Sequence, residues 1–200
     1  MERKKYSAGM VKLSFWFSEF RKVINLLNNG KTLNEVKALN IENNIFATPT
    51  QARAIQIFNT VSKRVKGLDY SFYQLFENSD LSTQKLIALI AIMQTDSLFF
   101  DFVYEVYREK LIIGSDELAD SDIRIFFKDK QLQSEKVAKW TDYTLKNLGS
   151  CYKTILMEAG LTDRSFGNRK ILKPILDKAL EECLKINGMS LMIHTLTGVR

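Results

Sequence analysis

Apolar residues recur every three or four positions along most of this 200-residue chain, the spacing that gives an α-helix one buried face. Residues 48–66 show it most clearly, with a predicted buried stripe of Ile55, Phe58, Val61 and Val65. Thr48 suits the N-cap of this helix and Pro49 its first helical position. Only nine glycines and two prolines interrupt the chain, so the pattern predicts an all-α, compact multi-helix globular protein.

Two shorter helices precede residues 48–66. The first ends near Asn29 with Gly30 as its C-terminal cap, and the second begins with a capping box formed by Thr32 and Glu35. Three helices in this order, with a longer basic third, predict a helix-turn-helix-like module. The joint at residues 41–47 is longer than the tight turn of the simplest such motifs, so a helical bundle without a nucleic-acid role is the alternative.

The middle of the chain is predicted to supply the apolar helical core. Residues 68–78, 82–94 and 97–113 are helical in pattern, and the last two are apolar nearly all round in part of their length. After them, Ser121 and its acidic neighbours are predicted to start a helix over residues 122–130.

The last third repeats the order of the first. A short helix over residues 134–139 leads to a long one, which Thr141 caps and Gly160 follows. Gly149 inside the long helix predicts a close packing partner. Residues 161–172 are either the wing of a winged helix or a plain loop, and Pro174 is predicted to start the next helix.

Charge divides the chain into three parts. Residues 1–66 carry twelve Lys or Arg and four Asp or Glu, residues 67–133 carry six and twelve, and residues 134–200 carry eleven and seven. The balance is therefore +8, −6 and +4, and it begins with a short basic arm at residues 2–5. Two basic ends predict two surfaces for a polyanion, with nucleic acid ahead of a membrane. We assign residues 1–67 and 134–200 to two helix-turn-helix-like modules and residues 68–133 to an acidic core, all in one globular unit.

Candidate DNA contacts are polar or basic residues predicted to lie on the outer faces of these modules. For residues 48–66 taken alone, a solvated amphipathic helix is the favoured explanation, and the charge of the surrounding segment is what supports a role in binding. The candidates are Thr50, Gln51, Arg53, Gln56, Lys63 and Arg64 in the first module, and Tyr143, Lys146, Asn147, Lys153, Arg164, Arg169 and Lys170 in the second.

Catalytic, metal and membrane functions have little support in the sequence. His194 is the single histidine, and no nucleophile, zinc or phosphate-loop motif can be assembled around it. The acidic residues 114–122 lack EF-hand spacing, so we expect no metal and no cofactor. Cys151 and Cys183 without a leader predict a reduced, cytoplasmic protein. The apolar run of residues 86–93 is shorter than the roughly 20 residues of a membrane span.

Several short motifs resemble the BrxA family, a small core component of the bacteriophage-exclusion (BREX) defence systems. They are the YSAG of residues 6–9, the LFFDF of residues 98–102, residues 122–127, and Trp140-Thr141 leading through Thr144, Leu145 and Tyr152 to Glu158-Ala159-Gly160-Leu161. The resemblance implies helix-turn-helix-like modules, partial likeness to the NusB antitermination fold, double-stranded DNA binding and no catalytic residues. It also implies the system's methyltransferase, ATPase and phosphatase-like components as partners.

Two hypotheses follow. The first is a non-catalytic, sequence-tolerant duplex-DNA binder that contacts the DNA backbone within a defence complex. The second is an assembly adaptor that docks other subunits with only incidental nucleic-acid binding. A NusB-like RNA binder is a further alternative, because the residues alone do not distinguish DNA from RNA.

Overall fold

Three helices form the N-terminal part of the computed structural model, which describes residues 5–199. They are α1 (Phe17–Asn28), α2 (Leu33–Asn43) and α3 (Gln51–Lys66). Both parts of the predicted capping box are present: Thr32 Oγ1 accepts from Glu35 N at 3.3 Å, and the Glu35 carboxylate accepts from Thr32 N at 2.7 Å. A short 3-10 turn (Gly9–Lys12) precedes α1. Of the basic arm, residues 2–4 lie outside the described residues.

The predicted start of α3 is wrong. Thr50, rather than Thr48, is the N-cap, since its hydroxyl accepts a hydrogen bond from Arg53 N at 3.2 Å. The Asn44 side chain is the reason: its Oδ1 accepts from both the backbone N and the hydroxyl of Thr48, at 3.0 and 3.1 Å. Thr48 and Pro49 therefore belong to the turn between α2 and α3.

The central helices are α4 (Tyr70–Asn78), α5 (Leu81–Thr95) and a continuous segment made of α6 (Ser97–Phe102), a π-helical stretch (Val103–Tyr107) and α7 (Arg108–Ile113). Asp96 caps α6 by accepting from Phe99 N at 2.9 Å. No single helix among the described residues has the length and hydropathy of a membrane span. Leu81–Thr95 and Ser97–Ile113 meet that test only as a pair bent by 116°.

The remaining elements are β1 (Glu117–Leu118), α8 (Asp120–Gln133), α9 (Glu135–Ala138), α10 (Asp142–Glu158), β2 (Arg169–Lys170), α11 (Lys178–Ile186) and α12 (Ser190–Thr197). Two predicted starts are wrong. Ser121 does not cap α8, because the Asp122 carboxylate instead accepts from Ala119 N at 2.8 Å. Pro174 does not begin α11, whose N-cap is Asp177.

Residues 161–172 form an antiparallel hairpin, which we call the hairpin below. Asp163 N donates to the Lys170 carbonyl at 3.0 Å, and Leu172 N donates to the Leu161 carbonyl at 2.8 Å. β2 on the returning side also pairs with β1, so that Glu117 lies opposite Lys170. The segment is therefore a hairpin rather than an irregular loop, and its role as a wing stays a prediction.

Helix α10 docks on the core through aromatic contacts. Tyr152 is fully buried, with its ring centroid 5.0 Å from that of Phe99, 5.2 Å from Phe102 and 5.8 Å from Phe127. One hydrophobic cluster runs from Met10 to Leu196 through all three parts of the chain. The all-α prediction is confirmed, while the assignment of three segments stays a prediction.

The packing partner expected at Gly149 is α8. A Cβ added at Gly149 would lie 2.8 Å from Ile123 Cγ2 and 3.7 Å from Phe127 Cε2. Ile123 is β-branched and buried, so its methyl group cannot rotate away freely. The two helices therefore approach as closely as the sequence permits at this position.

We predict that Gly149→Ala destabilises the protein by about 1–2 kcal/mol in urea unfolding, because overpacking costs roughly 1–3 kcal/mol and outweighs the gain in helix propensity of about 1 kcal/mol. Ser150→Ala, at the exposed neighbouring position, should change stability by less than about 0.5 kcal/mol. In an Ile123→Ala background, Gly149→Ala should become neutral or stabilising. Equal destabilisation in both backgrounds would contradict the close contact.

Candidate nucleic-acid interface

The outer face of α10 presents three of the predicted DNA contacts. Tyr143 is 76% exposed, Lys146 is exposed and Asn147 is half-buried. The opposite face of the helix is held in the core by Leu145, Leu148 and Tyr152. Because these anchors fix the rotation of the helix, its polar side chains point to solvent as a set.

A cleft of about 470 Å³ separates α10 from α8. Its floor is apolar and includes Ile123, Phe127 and Gly149. The charged and polar residues that line it are Asp120, Arg124, Lys128 and Gln131 from α8, with Asp142, Lys146, Ser150 and Lys153 from α10. The sequence reasoning missed Arg124 and Lys128, because both lie in the acidic part of the chain. Arg124 and Lys128 are four positions apart, so a helix places them on one face, and this spacing could have identified them as a basic pair.

Of the two carboxylates that line this cleft, Asp120 is paired with a lysine and Asp142 is exposed. Asp120 accepts from Lys153 Nζ at 2.5 Å, and Asp122 forms an ion pair with Lys110 at 2.8 Å. Lys153 is therefore half-buried and neutralised by a neighbour, unlike the exposed Lys146. No group of three His, Cys, Asp or Glu side chains among residues 5–199 is arranged to hold a metal ion.

The hairpin is fastened to α10 and α8 by two side chains. Arg169 donates to the Lys153 carbonyl at 2.7 Å, and Asn168 Oδ1 accepts from Asp120 N at 3.3 Å. Arg169 thus serves as an anchor, while Arg164 and Lys170 are exposed. These two cations lie on either side of the end of the hairpin, and Arg164 also interacts electrostatically with Glu158.

Arg64 does not face outward, so this part of the prediction for α3 is wrong. Its side chain is 3% exposed and donates to the backbone carbonyls of Phe15 at 2.7 Å and Ser14 at 2.9 Å. The guanidinium also lies 5.6 Å from the ring centroid of Trp16. Burial lowers the pKa of Arg64 to about 10. Arg64 therefore fixes the N-terminal segment to α3 from inside.

Of the other candidates on α3, some form hydrogen bonds or ring contacts within the protein and some are exposed to solvent. Arg53 donates to Gln56 Oε1 at 2.8 Å and stacks 5.1 Å from the Trp16 ring centroid, and Thr50 caps the helix. Gln51 and Lys63 are exposed. This face of α3 consequently offers a smaller charged surface than the six predicted contacts suggest.

Residues 9–16 lie between α3 and α10. On the α10 side, Cys151 Sγ donates to the carbonyls of Met10 at 3.1 Å and Leu13 at 3.3 Å. On the α3 side, Arg64 holds the carbonyls of Ser14 and Phe15. Burial raises the pKa of the Cys151 thiol to about 11, which keeps it protonated as a donor at neutral pH. The two candidate helices are thus joined through one short segment of backbone.

Comparison with known proteins agrees with this architecture. The BrxA family model matches residues 4–188, which is most of the chain. The chain belongs to the BrxA family. A relative in this family, the BREX protein BrxA of Bacillus cereus (strain H3081.97), is 41% identical over 182 residues, 91% of each protein. The fold is also that of an uncharacterized protein from Magnetospirillum magneticum, with a TM-score of 0.82, 17% identity, and coverage of 98% of this chain and 100% of the other.

We predict that Arg64→Ala lowers the free energy of unfolding by about 2–4 kcal/mol, since it leaves two carbonyl groups without their donor at roughly 1–3 kcal/mol each. Lys63→Ala, at the exposed neighbouring position, should leave stability unchanged within about 0.5 kcal/mol. Chemical denaturation of both variants measures the difference. Equal effects would mean that Arg64 carries no internal role.

Proposed function

We propose that the protein is a non-catalytic duplex-DNA-binding component of a BREX phage-defence system. The observation that carries this proposal is the joining of an exposed polar helix face, Tyr143, Lys146 and Asn147, to a hairpin bearing Arg164 and Lys170. The relative's name, BREX protein BrxA, supports the assignment to the defence system. The succession α8, α9, α10 and hairpin is that of a winged helix, in which the last helix enters the major groove.

In this arrangement, each element has a distinct role on the duplex. Lys146 neutralises a phosphate, and Asn147 is within reach of base edges, where an amide pairs best with adenine. Arg164 and Lys170 contact the backbone beside the neighbouring minor groove. Arg124 and Lys128, across the cleft from Lys146, extend the same positive surface. Phosphate contacts dominate this set, so the binding is sequence-tolerant.

The exposed Gln51 and Lys63 of α3 supply a second, weaker contact in this proposal. The stacked Arg53 adds charge at the edge of that face. We propose that α3 and α10 belong to one binding surface, because both helices are hydrogen-bonded to residues 9–16, which lie between them.

Nothing in the described geometry favours an enzyme. The ring of His194 is half-buried in α12 and lies with Nδ1 3.3 Å from the Val199 carbonyl. We infer that the protein acts in the cytoplasm by binding, together with the methyltransferase, ATPase and phosphatase-like components of the system.

A second function, docking of other BREX subunits, is favoured by a separate surface. Ile113 and Ile125 are 71% and 57% exposed and line a shallow groove of about 210 Å³. Its charged residues are Glu105, Glu109, Lys110, Asp122 and Asp129. Three of these carboxylates form ion pairs: Glu105 with Lys130, Glu109 with Arg108, and Asp122 with Lys110. An exposed apolar groove of this kind fits a protein partner, and its lining residues are separate from the proposed DNA contacts, so both roles can occupy one molecule.

We predict that the affinity for duplex DNA falls with salt at a log–log slope of about −4 to −5, because roughly five phosphates are contacted at about 0.9 each. Lys146→Glu should weaken binding and reduce the slope by about one or more. Lys178→Glu, an equal charge change on α11, which packs against α4 and α12, should leave the slope nearly unchanged. Fluorescence anisotropy over a salt series measures both. A flat salt response would contradict the proposal.

We predict that duplex DNA competes better than structured RNA of equal length in the same titration, since a helix fits the major groove of B-form DNA but not the deep, narrow one of A-form RNA. Stronger competition by RNA would favour the NusB-like alternative.

We predict that replacing Ile113 and Ile125 together by Asp abolishes co-purification with the other BREX components, because charge is introduced into the apolar groove. The affinity for duplex DNA should stay unchanged within about twofold, because no residue that lines the groove is a proposed DNA contact. Reversing the charge of Lys146 and Lys170 should have the opposite result. Loss of co-purification in the charge-reversed variant alone would show that DNA bridges the components.

A further inference from the structure

Phe166, at the end of the hairpin, is fully exposed to solvent. Single exposed apolar residues are common and need no special explanation. Phe166 differs from the others because of its surroundings, which are polar and cationic: Arg164 and Asn168 lie two positions away on either side, and Lys170 follows. A large aromatic ring carried outward on a positively charged loop is a feature that a polyanion with flat apolar layers would recognise.

The loop that carries Phe166 is ordered by one carboxylate. Asp163 Oδ1 accepts from Ser165 N at 3.2 Å and from Lys170 N at 3.0 Å, while Oδ2 accepts from the Ser165 hydroxyl at 2.6 Å. The hydrogen bonds from Ser165 and Lys170 lower the pKa of Asp163, so it stays ionised as the acceptor. Gly167, with φ of +76°, turns the chain directly after Phe166. The ring is therefore presented by a closed turn.

The hairpin also has a fixed position relative to α10. Arg169 holds its returning strand to the Lys153 carbonyl, and Asn168 reaches the start of α8. If Lys146 and Asn147 of α10 occupy the major groove, the end of the hairpin extends past the sugar–phosphate backbone beside that helix. Phe166 lies at this end of the hairpin and is fully exposed.

We propose that Phe166 is a wedge that inserts between two stacked base pairs from the minor groove and kinks the duplex; this inference rests on the proposed duplex binding. Apolar side chains inserted in this way unstack one base step and bend DNA by about 20–90°. The cost of unstacking is offset by burial of the ring and by the phosphate contacts of Arg164 and Lys170 on either side. No bond is made or broken.

The proposal includes a preference for certain base steps. Pyrimidine–purine steps such as TA unstack and kink most easily, so they are the favoured sites of insertion. This preference arises without any base-edge hydrogen bond. It would give a sequence-tolerant binder a bias towards flexible sites.

The test uses a duplex of about 30 base pairs with a central TA step and a fluorophore at each end, short enough against the ~150-base-pair persistence length to lie straight when free. Energy transfer between the ends reports bending, and anisotropy of one fluorophore reports binding independently. The wild-type chain should bind and bend the duplex. Phe166→Ala should bind about tenfold more weakly, the loss expected from one stacked aromatic, and should leave the saturated duplex straight.

Two further variants serve as controls. Ile175→Ala removes another exposed apolar side chain, 90% exposed, outside the hairpin and should bind and bend like the wild type. Phe166→Leu keeps an apolar wedge and should retain part of the bend. A fluorescent base analogue at the TA step should brighten on binding of the wild type and not of Phe166→Ala.

The outcomes separate this inference from the proposed function. Binding without bending by the wild type, or equal bending by Phe166→Ala, would overturn the wedge and leave duplex binding intact. Absence of wild-type binding at low salt would overturn both. If Phe166→Ala binds and bends DNA normally but no longer co-purifies with another BREX component, Phe166 is a protein contact and the wedge is again overturned.

Discussion

The close approach of α10 to α8 at Gly149 is the constraint on which the proposed DNA-binding surface depends. Because Gly149 has no side chain, Ile123 can approach the backbone of α10 closely. One turn further along, the Tyr152 ring packs against the rings of Phe99, Phe102 and Phe127. These contacts set the depth and rotation of α10, and with them the direction of Lys146. The same helix also positions the hairpin, because Arg169 donates a hydrogen bond to the Lys153 carbonyl. A larger residue at Gly149 would therefore act on the outer surface through the core.

Local chemistry made much of the secondary structure predictable, and nearby competition explains the errors. Thr32, Thr141 and Gly30 act within four residues of their own position, so the sequence contains all that decides them. Thr48 and Ser121 were equally good caps by type. Asn44 engages the hydroxyl of Thr48, and Thr50 caps α3 instead, while the hydrogen bond from Ala119 N to Asp122 places the start of α8 before Ser121. Residue type alone cannot rank two competitors for one helix end.

The candidate site was harder to predict because it depends on distant partners. Arg64 was placed outside because the buried stripe of α3 was anchored on Ile55, whereas the buried face also includes Ala54 and Ile57, which rotates it towards position 64. A buried guanidinium needs hydrogen-bond acceptors, and these come from Ser14 and Phe15, some fifty positions earlier. The spacing of apolar residues in α3 contains no information about these distant acceptors. Lys153 and Arg169 are similar cases, since both are engaged by groups from other segments.

The two ends of the chain are basic in sequence, but the distribution of charge on the folded surface differs from the distribution along the chain. Asp120 belongs to the acidic middle and neutralises Lys153 of α10, while Arg124 and Lys128 from the same middle line the cleft beside Lys146. The positive surface is thus assembled from two segments of opposite net charge. Lys153 is half-buried and paired with Asp120, so for the proposed duplex binding we expect phosphate attraction alone to give a modest, salt-sensitive affinity. A surface of that kind gains most from a contact that salt does not screen, and an aromatic ring stacked between base pairs is such a contact.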